Sequence, residues 1–307
     1  MNFNITRHRN LWLAISGGMV AVSLTLIGIF GFNLGLDFLG GLRWNVEFTG
    51  EEMVEATQLT EFFATKDVLE KDAIIQATGD NSFLITLEEL EEKDFEILST
   101  DLDTAFGGFE VVSFQRVSSS IGQHFQNEAF VAIGLALIAI IVFVAIAFRK
   151  IPETINPWRF GGAAIIALFH DVVIIAGVFA VLGFVLDVEL NLQFITALLA
   201  TLGFSVNDTI VILDRVRENL FKQKSRDSFE DVIEKSVSET LRRSINTSLS
   251  TLFPLVFLLI FGADSIFYFI LALTIGIAVG TYSSIFIAAP ILVSWKEMAD
   301  GRVRRKK

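Results

Sequence analysis

Leu198-Leu199-Ala200-Thr201-Leu202-Gly203-Phe204-Ser205-Val206-Asn207-Asp208-Thr209-Ile210-Val211-Ile212-Leu213 is apolar enough to cross a bilayer, yet it carries a carboxylate, Asp208. Arg243 stands at the opening of the next apolar span. A charge at the centre of a spanning helix costs about 2.5–3.5 kcal/mol on insertion scales, so it persists where function requires it. Ion movement, rather than soluble chemistry, is the first expectation.

The rest of the chain has the composition of a membrane protein: 307 residues, 52% hydrophobic, with 30 Phe and 4 Pro. Six apolar runs reach spanning length, from Leu11 to Phe32, Ala129 to Phe148, Phe160 to Phe184, Leu190 to Leu213, Ser244 to Phe261 and Ile266 to Trp295. Arg7, His8 and Arg9 precede the first, as in a signal peptide. Its apolar core is too long for one and lacks a small-x-small cleavage site, so a retained anchor is expected.

The net charge of −11 hides an asymmetry. The stretch between the first two spans is acidic, and its basic residues are Arg43, Lys66, Lys71, Lys93 and Arg116. Basic residues collect instead at Arg7 and Arg9, at Arg149, Lys150 and Arg159, from Arg215 to Arg226, and at Arg302, Arg304, Arg305, Lys306 and Lys307. The positive-inside rule places both termini in the cytoplasm and the acidic domain outside. There is no cysteine, so disulfide and thiolate chemistry are excluded.

Within the acidic stretch, Trp44–Phe48, Ala73–Ala77, Ser82–Leu87 and Phe109–Phe114 read as strands. Helical patterns cover Glu51–Leu69 and Lys93–Phe106, the second stopped by Gly107-Gly108. The order β-α-β-β-α-β is the split βαβ arrangement. The expected fold class is a polytopic α-helical membrane protein with six transmembrane helices and an α+β ferredoxin-like extracytoplasmic domain between the first and second spans. Residues 1–10 form a cytoplasmic N-terminus, 11–32 the first helix, 33–128 the outer domain, 129–295 a five-helix bundle and 296–307 a basic tail. The Glu88-Glu89-Leu90-Glu91-Glu92 run reads as a solvated turn, or else as a docking surface.

Thr201, Ser205 and Asp208 share one helical face, flanked by Asn207 and Thr209. The next span carries a matching stripe of Arg243, Asn246, Thr247, Ser250 and Thr251. The two spans run in opposite directions, so the stripes are expected to bring Asp208 and Arg243 within reach as an ion-coupling pair. A static ion pair is the alternative. Burial raises a carboxyl pKa and a nearby guanidinium lowers it, which would let such a site load and release a proton. Asp171, beside His170, is a second acid near mid-bilayer. His170, Asp171, Asn207, Asn246 and Thr247 are candidates for a proton relay; equally, His170 and Asp171 satisfy each other. Gly276, Gly280, Ser283 and Ser284 follow helical spacing and read as a close-packing face, with a substrate path as the alternative. The sequence points to no catalytic residue, metal site or cofactor.

Three stretches together resemble one family: Gly35-Leu36-Asp37-Phe38-Leu39-Gly40-Gly41, His170-Asp171-Val172, and Asn207-Asp208-Thr209 running on through Asp214-Arg215-Val216-Arg217-Glu218-Asn219. The chain resembles the SecF family of the bacterial Sec protein-export machinery, within the resistance-nodulation-division superfamily. The resemblance implies a non-enzymatic translocase subunit of the inner membrane. It implies that SecD and the SecYEG channel are its partners and a translocating preprotein its client, with no nucleic acid involved, and that the proton-motive force drives it. The family motif falls on Gly35, Asp37, Gly40, Gly41, Asp214, Arg215, Arg217, Glu218 and Asn219, and the family's coupling acid and arginine fall on Asp208 and Arg243. Arg242 adjoins the latter and leaves the register open, with the Asn246 and Thr247 stripe favouring Arg243. Leu42-Arg43-Trp44 departs from the small or apolar start usual after the Gly-Gly turn. The coupling ion is H⁺ or Na⁺, the Asp–Arg arrangement favouring H⁺.

Two other classes compete. One is half of a small-molecule or lipid exporter of the same superfamily. The other is an intramembrane aspartyl protease built on Asp171 and Asp208, disfavoured because Phe204-Ser205-Val206-Asn207, not Gly-x-Gly, precedes Asp208. No His-Glu-x-x-His occurs, and the chain has only 3 His, so a zinc protease of that class is excluded.

Overall fold

The computed structural model describes residues 4–50, 53–66, 68–69, 73–79, 81–149, 157–223 and 228–305. Glu51, Lys71, Lys150, Lys224, Arg226, Lys306 and Lys307, all used in the expectations above, lie outside the described residues. The elements in chain order are α1 (Arg9–Phe30), α2 (Leu36–Leu39), β1 (Gly41–Phe48), α3 (Ala56–Ala64), β2 (Ile74–Ala77), β3 (Ser82–Leu87), α4 (Glu92–Phe106) and β4 (Phe109–Val117). Then follow α5 (Ser119–Ala147), α6 (Pro157–Leu186), α7 (Leu192–Phe221), α8 (Phe229–Phe261), α9 (Phe267–Ser283), a π-helical segment (Ser284–Ala288) and α10 (Ala289–Arg305). The chain divides into one unit of residues 1–33 and 131–307 and another of residues 34–130.

The smaller unit is an antiparallel sheet of order β2-β3-β1-β4. That order, with the β-α-β-β-α-β sequence of elements, is the ferredoxin-like topology expected. Alternation along β1 sends Leu42, Trp44, Val46 and Phe48 into the core, where Leu59 and Phe63 of α3 and Leu98 and Leu102 of α4 cover them. Trp44 meets Phe95 and Phe109 edge-on, each at 5.0 Å between ring centroids. Gly107 takes the left-handed conformation (φ 78°) that ends α4.

Sequence patterning did not foresee α2. It lies in the Gly35–Gly41 stretch, with Gly35 at its N-cap and Asp37 in its first turn. Gly40 and Gly41 have φ of +75° and +130°, and a Cβ on them would lie 2.7 Å from Ser119 Cα and 2.4 Å from Leu87 O. The glycine pair is therefore required both by conformation and by the close approach of α5 and β3. The Glu88–Glu92 run is partly structural: Glu89 accepts the backbone N–H of Ser119 at 2.8 Å, and Arg116 donates to Leu90 O.

The larger unit supplies six helical stretches long and apolar enough to cross a membrane among the described residues. About half of the apolar window is buried in α6, in α7 and in the α9–α10 stretch, against 11% in α1, α5 and α8. α6, α7 and α9 thus form the centre, with α1 packed along α6 and α8 against α7 and α9. The last apolar run is not one uninterrupted α-helix. α9 opens into the π-helical segment just before Pro290. Proline has no N–H to give to Phe286 O four residues back, and its ring would press on that carbonyl; the wider π turn relieves both.

Candidate functional site

Asp171 lies where α6, α7 and α9 meet. Its Oδ2 accepts the Ser205 hydroxyl at 2.5 Å and the Ser283 hydroxyl at 2.8 Å, and its Oδ1 lies 3.0 Å from His170 Nδ1. All four residues are buried. His170 and Asp171 thus touch each other, while the acid also ties down two further helices. His170 Nε2 is buried and has no hydrogen-bond partner among the described residues. The His170 ring stands 6.0 Å from that of Tyr282, whose hydroxyl hydrogen-bonds Ser16 of α1 at 2.9 Å.

Asp208, one helical turn beyond Ser205 on α7, is also buried, and its Oδ2 accepts the hydroxyl of Ser284. The adjoining hydroxyl of Thr209 and that of Ser244 on α8 are buried without partners among the described residues. Among the described residues, no group of three or more His, Cys, Asp or Glu is placed to hold a metal.

The expected contact between Asp208 and Arg243 does not form among the described residues. Arg243 is exposed, as are Asn246, Thr247 and Ser250 of the same stripe, and Asn207 on α7. The face of α8 turned inward is Ser244 and Ser248, the latter bonded to Thr281 Oγ1 at 2.6 Å. Successive helix residues differ by about 100°, so the single step from Arg243 to Ser244 separates the outer face from the inner one. The structure therefore groups His170 with Asp171 and leaves Asn207, Arg243, Asn246 and Thr247 on exposed surfaces.

Ser205, Ser283 and Ser284 are the partners that the spacing argument undervalued. Small side chains at helical spacing point first to packing, which is all that the spacing of Ser283 and Ser284 conveys. The discriminating signal was a hydroxyl doublet inside an apolar run.

The motif at the end of α7 clamps helices together. Arg215 donates to Glu239 of α8 and to Glu218, each at 2.6 Å. Asn219 Nδ2 donates to Ser236 Oγ and Glu239 Oε2, each at 2.9 Å. Arg217 pairs with Asp214 at 2.7 Å and donates to Ala147 O of α5 at 2.9 Å. Two helices besides α7 are thereby held. Close by in sequence, Glu234 of α8 accepts the backbone N–H groups of Ile5 and Thr6, and Arg9 bridges Glu230 and Glu297.

Residues 98–298 match the family described as "Protein export membrane protein SecD/SecF, C-terminal". The chain is 37% identical to the protein translocase subunit SecF of Thermobaculum terrenum, over 99% of this chain and 97% of that one. It is 34% identical to SecF of Sebaldella termitidis, over 95% and 91%. Among solved structures it resembles SecDF, a translocon-associated membrane protein from Thermus, at 32% identity and a TM-score of 0.81, covering 96% of this chain and 39% of that one. A structure of SecDF in a super-membrane-facing form matches at 31% identity and a TM-score of 0.70 over 99% and 40%. The chain thus spans about two fifths of SecDF and nearly the full length of the SecF proteins. A six-span bundle with buried acids and a ferredoxin-like insert, matched from end to end by SecF proteins at 34–37% identity, places this multi-pass membrane chain in the SecF family of protein translocase subunits.

Proposed function

We propose that this chain is a non-enzymatic accessory subunit of the Sec translocase that works with a SecD partner to draw preproteins outward through the SecYEG channel, using the proton-motive force. It sits in the inner membrane with both termini in the cytoplasm. Residues 33–128 stand outside, and Asp208 and Arg243 carry the ion coupling. The observation that carries this reading is a buried carboxylate within a spanning helix, Asp208, whose partner among the described residues is the hydroxyl of Ser284. An acid with a neutral partner can take up and release a proton without breaking an ion pair. Downhill movement of one proton supplies about 2.3 kcal/mol per 100 mV, plus about 1.4 kcal/mol per pH unit.

Arg243, Asn246, Thr247 and Ser250 form an exposed polar row on a helix of membrane-spanning length. Polar side chains within a bilayer face protein or a water-filled path rather than lipid. A SecD bundle lying on α8 would cover the row and bring an acceptor to Arg243. The same row supports coupling at the interface between the two subunits.

The test is preprotein translocation into vesicles holding SecYEG, SecD and this chain under an imposed proton gradient. Asp208→Asn keeps the shape of the side chain and removes its proton chemistry. Loss of the gradient-dependent part, with assembly intact, is expected. Translocation that still answers the gradient like wild type rejects Asp208 as the coupling acid, and a response to sodium alone would replace H⁺ by Na⁺.

A further inference from the structure

Ser283 and Ser284 are neighbours in sequence, yet their hydroxyls go to different carboxylates on different helices, Asp171 of α6 and Asp208 of α7. They stand where α9 passes into the π-helical segment. Each hydroxyl has a second acceptor one turn back. Ser283 Oγ lies 3.1 Å from Gly280 O, and Ser284 Oγ lies 3.0 Å from Thr281 O. A hydroxyl has one hydrogen, so it serves the carboxylate or the carbonyl as donor, not both fully. Gly280 O also accepts the backbone N–H of Ser284. The hydroxyl that answers to Asp171 and the backbone of the residue that answers to Asp208 therefore share one acceptor.

We propose that Ser283 and Ser284 couple the two buried acids, so that Asp171 and Asp208 exchange protons with their surroundings as one unit rather than as independent sites. The inference rests on the ion-coupling reading above and adds a second acid and two positioning residues to it. When Asp171 is ionised, it accepts from Ser283. When it takes a proton, its new O–H donates to Ser283 Oγ, and the hydroxyl hydrogen turns to Gly280 O. No covalent bond breaks beyond the proton's own transfer. Gly280 O then takes the Ser283 hydroxyl fully beside the Ser284 N–H, and such back-bonding bends the helix and shifts the turn that aims Ser284 at Asp208. The reverse sequence runs from Asp208. Ser205, one turn from Asp208 with about 5–6 Å between Cβ atoms, gives a second, shorter route between the acids along α7.

Among the described residues, the titratable group bonded to Asp171 is His170 on its own helix, whose ring faces Tyr282 of α9, while Asp208 lies one turn along α7 from Ser205, the partner of Asp171. α1 contributes Ser16, and α8 faces inward with Ser244 and Ser248; Arg243 is exposed. Among the described residues, neither acid is paired with a lysine or an arginine.

The experiment is an infrared titration of the purified full chain in lipid, following the protonated-carboxyl stretch and assigning each acid by its loss in Asp171→Asn or Asp208→Asn. Ser283→Ala removes a hydroxyl that touches Asp171 and not Asp208. It is expected to move the half-titration of the Asp208 band by about one pH unit, the size that marks interacting sites. Ser284→Ala is expected to do the same to the Asp171 band. Ser283→Thr keeps the hydroxyl and restores the wild-type midpoint, which a role in packing alone would not. Where an alanine variant does not fold, Asp171→Asn read on the Asp208 band makes the same comparison. Midpoints unchanged in the cross readings overturn the proposal. The titration needs no gradient, SecD or preprotein, so coupled bands with gradient-independent export would reject the translocase reading and leave the coupled pair standing.

Discussion

Gly276 of α9 lies so close to Thr201 of α7 that a Cβ on the glycine would stand 2.3 Å from Thr201 Cγ2. One turn on, a Cβ on Gly280 would stand 2.8 Å from the Cβ of Ser205. Small residues let helix backbones approach where lipid offers no hydrophobic drive to press them together. The close approach also holds Ser283 and Ser284 at their acids. Gly276→Ala is therefore expected to cost about 1–3 kcal/mol, the usual range for overpacking. Gly203→Ala, with nothing within 4 Å of the added methyl, is expected to cost nothing measurable. Thermal unfolding of the two variants in detergent decides it, and equal melting would refute the tight α7–α9 contact.

The α7–α8 clamp depends on buried donors more than on its peripheral charge. Asn219 gives both amide hydrogens to α8. Asn219→Ala is expected to lose about 1–2 kcal/mol, since it leaves Ser236 and Glu239 short of a donor. Lys235 reaches the same Glu239 only at 3.9 Å and is exposed, so Lys235→Ala is expected to change stability by less than about 0.5 kcal/mol. Denaturant titration of both variants should reproduce that order.

Glu89 makes the smaller unit sensitive to acid. The backbone N–H of Ser119, then its hydroxyl, hold the Glu89 carboxyl below the usual carboxylate range; Arg116 adds to this and slight burial opposes it. A depressed folded pKa means the unfolded chain binds the proton more readily. The contribution is thus present above the unfolded value, about pH 4.3, and disappears as pH falls through the folded one. Hydrogen exchange at the β3–α4 junction should accelerate over that acid window in wild type. In Glu89→Gln the same window is expected to be flatter, and an identical profile would show that the contact carries no pH dependence.

Arg243 is exposed and forms no ion pair among the described residues, so Arg243→Ala is expected to leave melting of the isolated chain unchanged within about 0.5 kcal/mol. Its cost should appear in co-purification with SecD, as a lower yield of complex. A lowered melting temperature of the chain by itself would place Arg243 in an internal role instead.

The spans, the insert and the strand order were legible because apolar run length and period-two alternation report burial directly. Trp44, Ser82–Leu87 and the Gly107 stop stand where the pattern put them. The facing of Arg243 was not legible. Helical periodicity shows which residues share a stripe but carries no information on which neighbour the stripe meets. Asp208 looked in need of a cation because a hydroxyl partner, Ser284, lies 76 positions away in sequence. The short helix α2 escaped for a different reason: four residues are too few to establish a period.

The exposed row on α8 bears on the life of the subunit before assembly. Hydroxyls, an amide and a guanidinium on the exposed face of a spanning helix would be tolerated poorly by lipid, and a second bundle laid over them would hide them. A newly made chain that finds no mate is then marked out by its own surface, much as an unpaired strand edge marks out a misfolded soluble domain. Abundance would follow from pairing: pulse-chase labelling is expected to show rapid turnover when this chain is made alone, and a long half-life when SecD is made with it. Replacing Asn246 and Thr247 by leucine should lengthen the solitary chain's survival while spoiling its recruitment, separating persistence in the membrane from usefulness there.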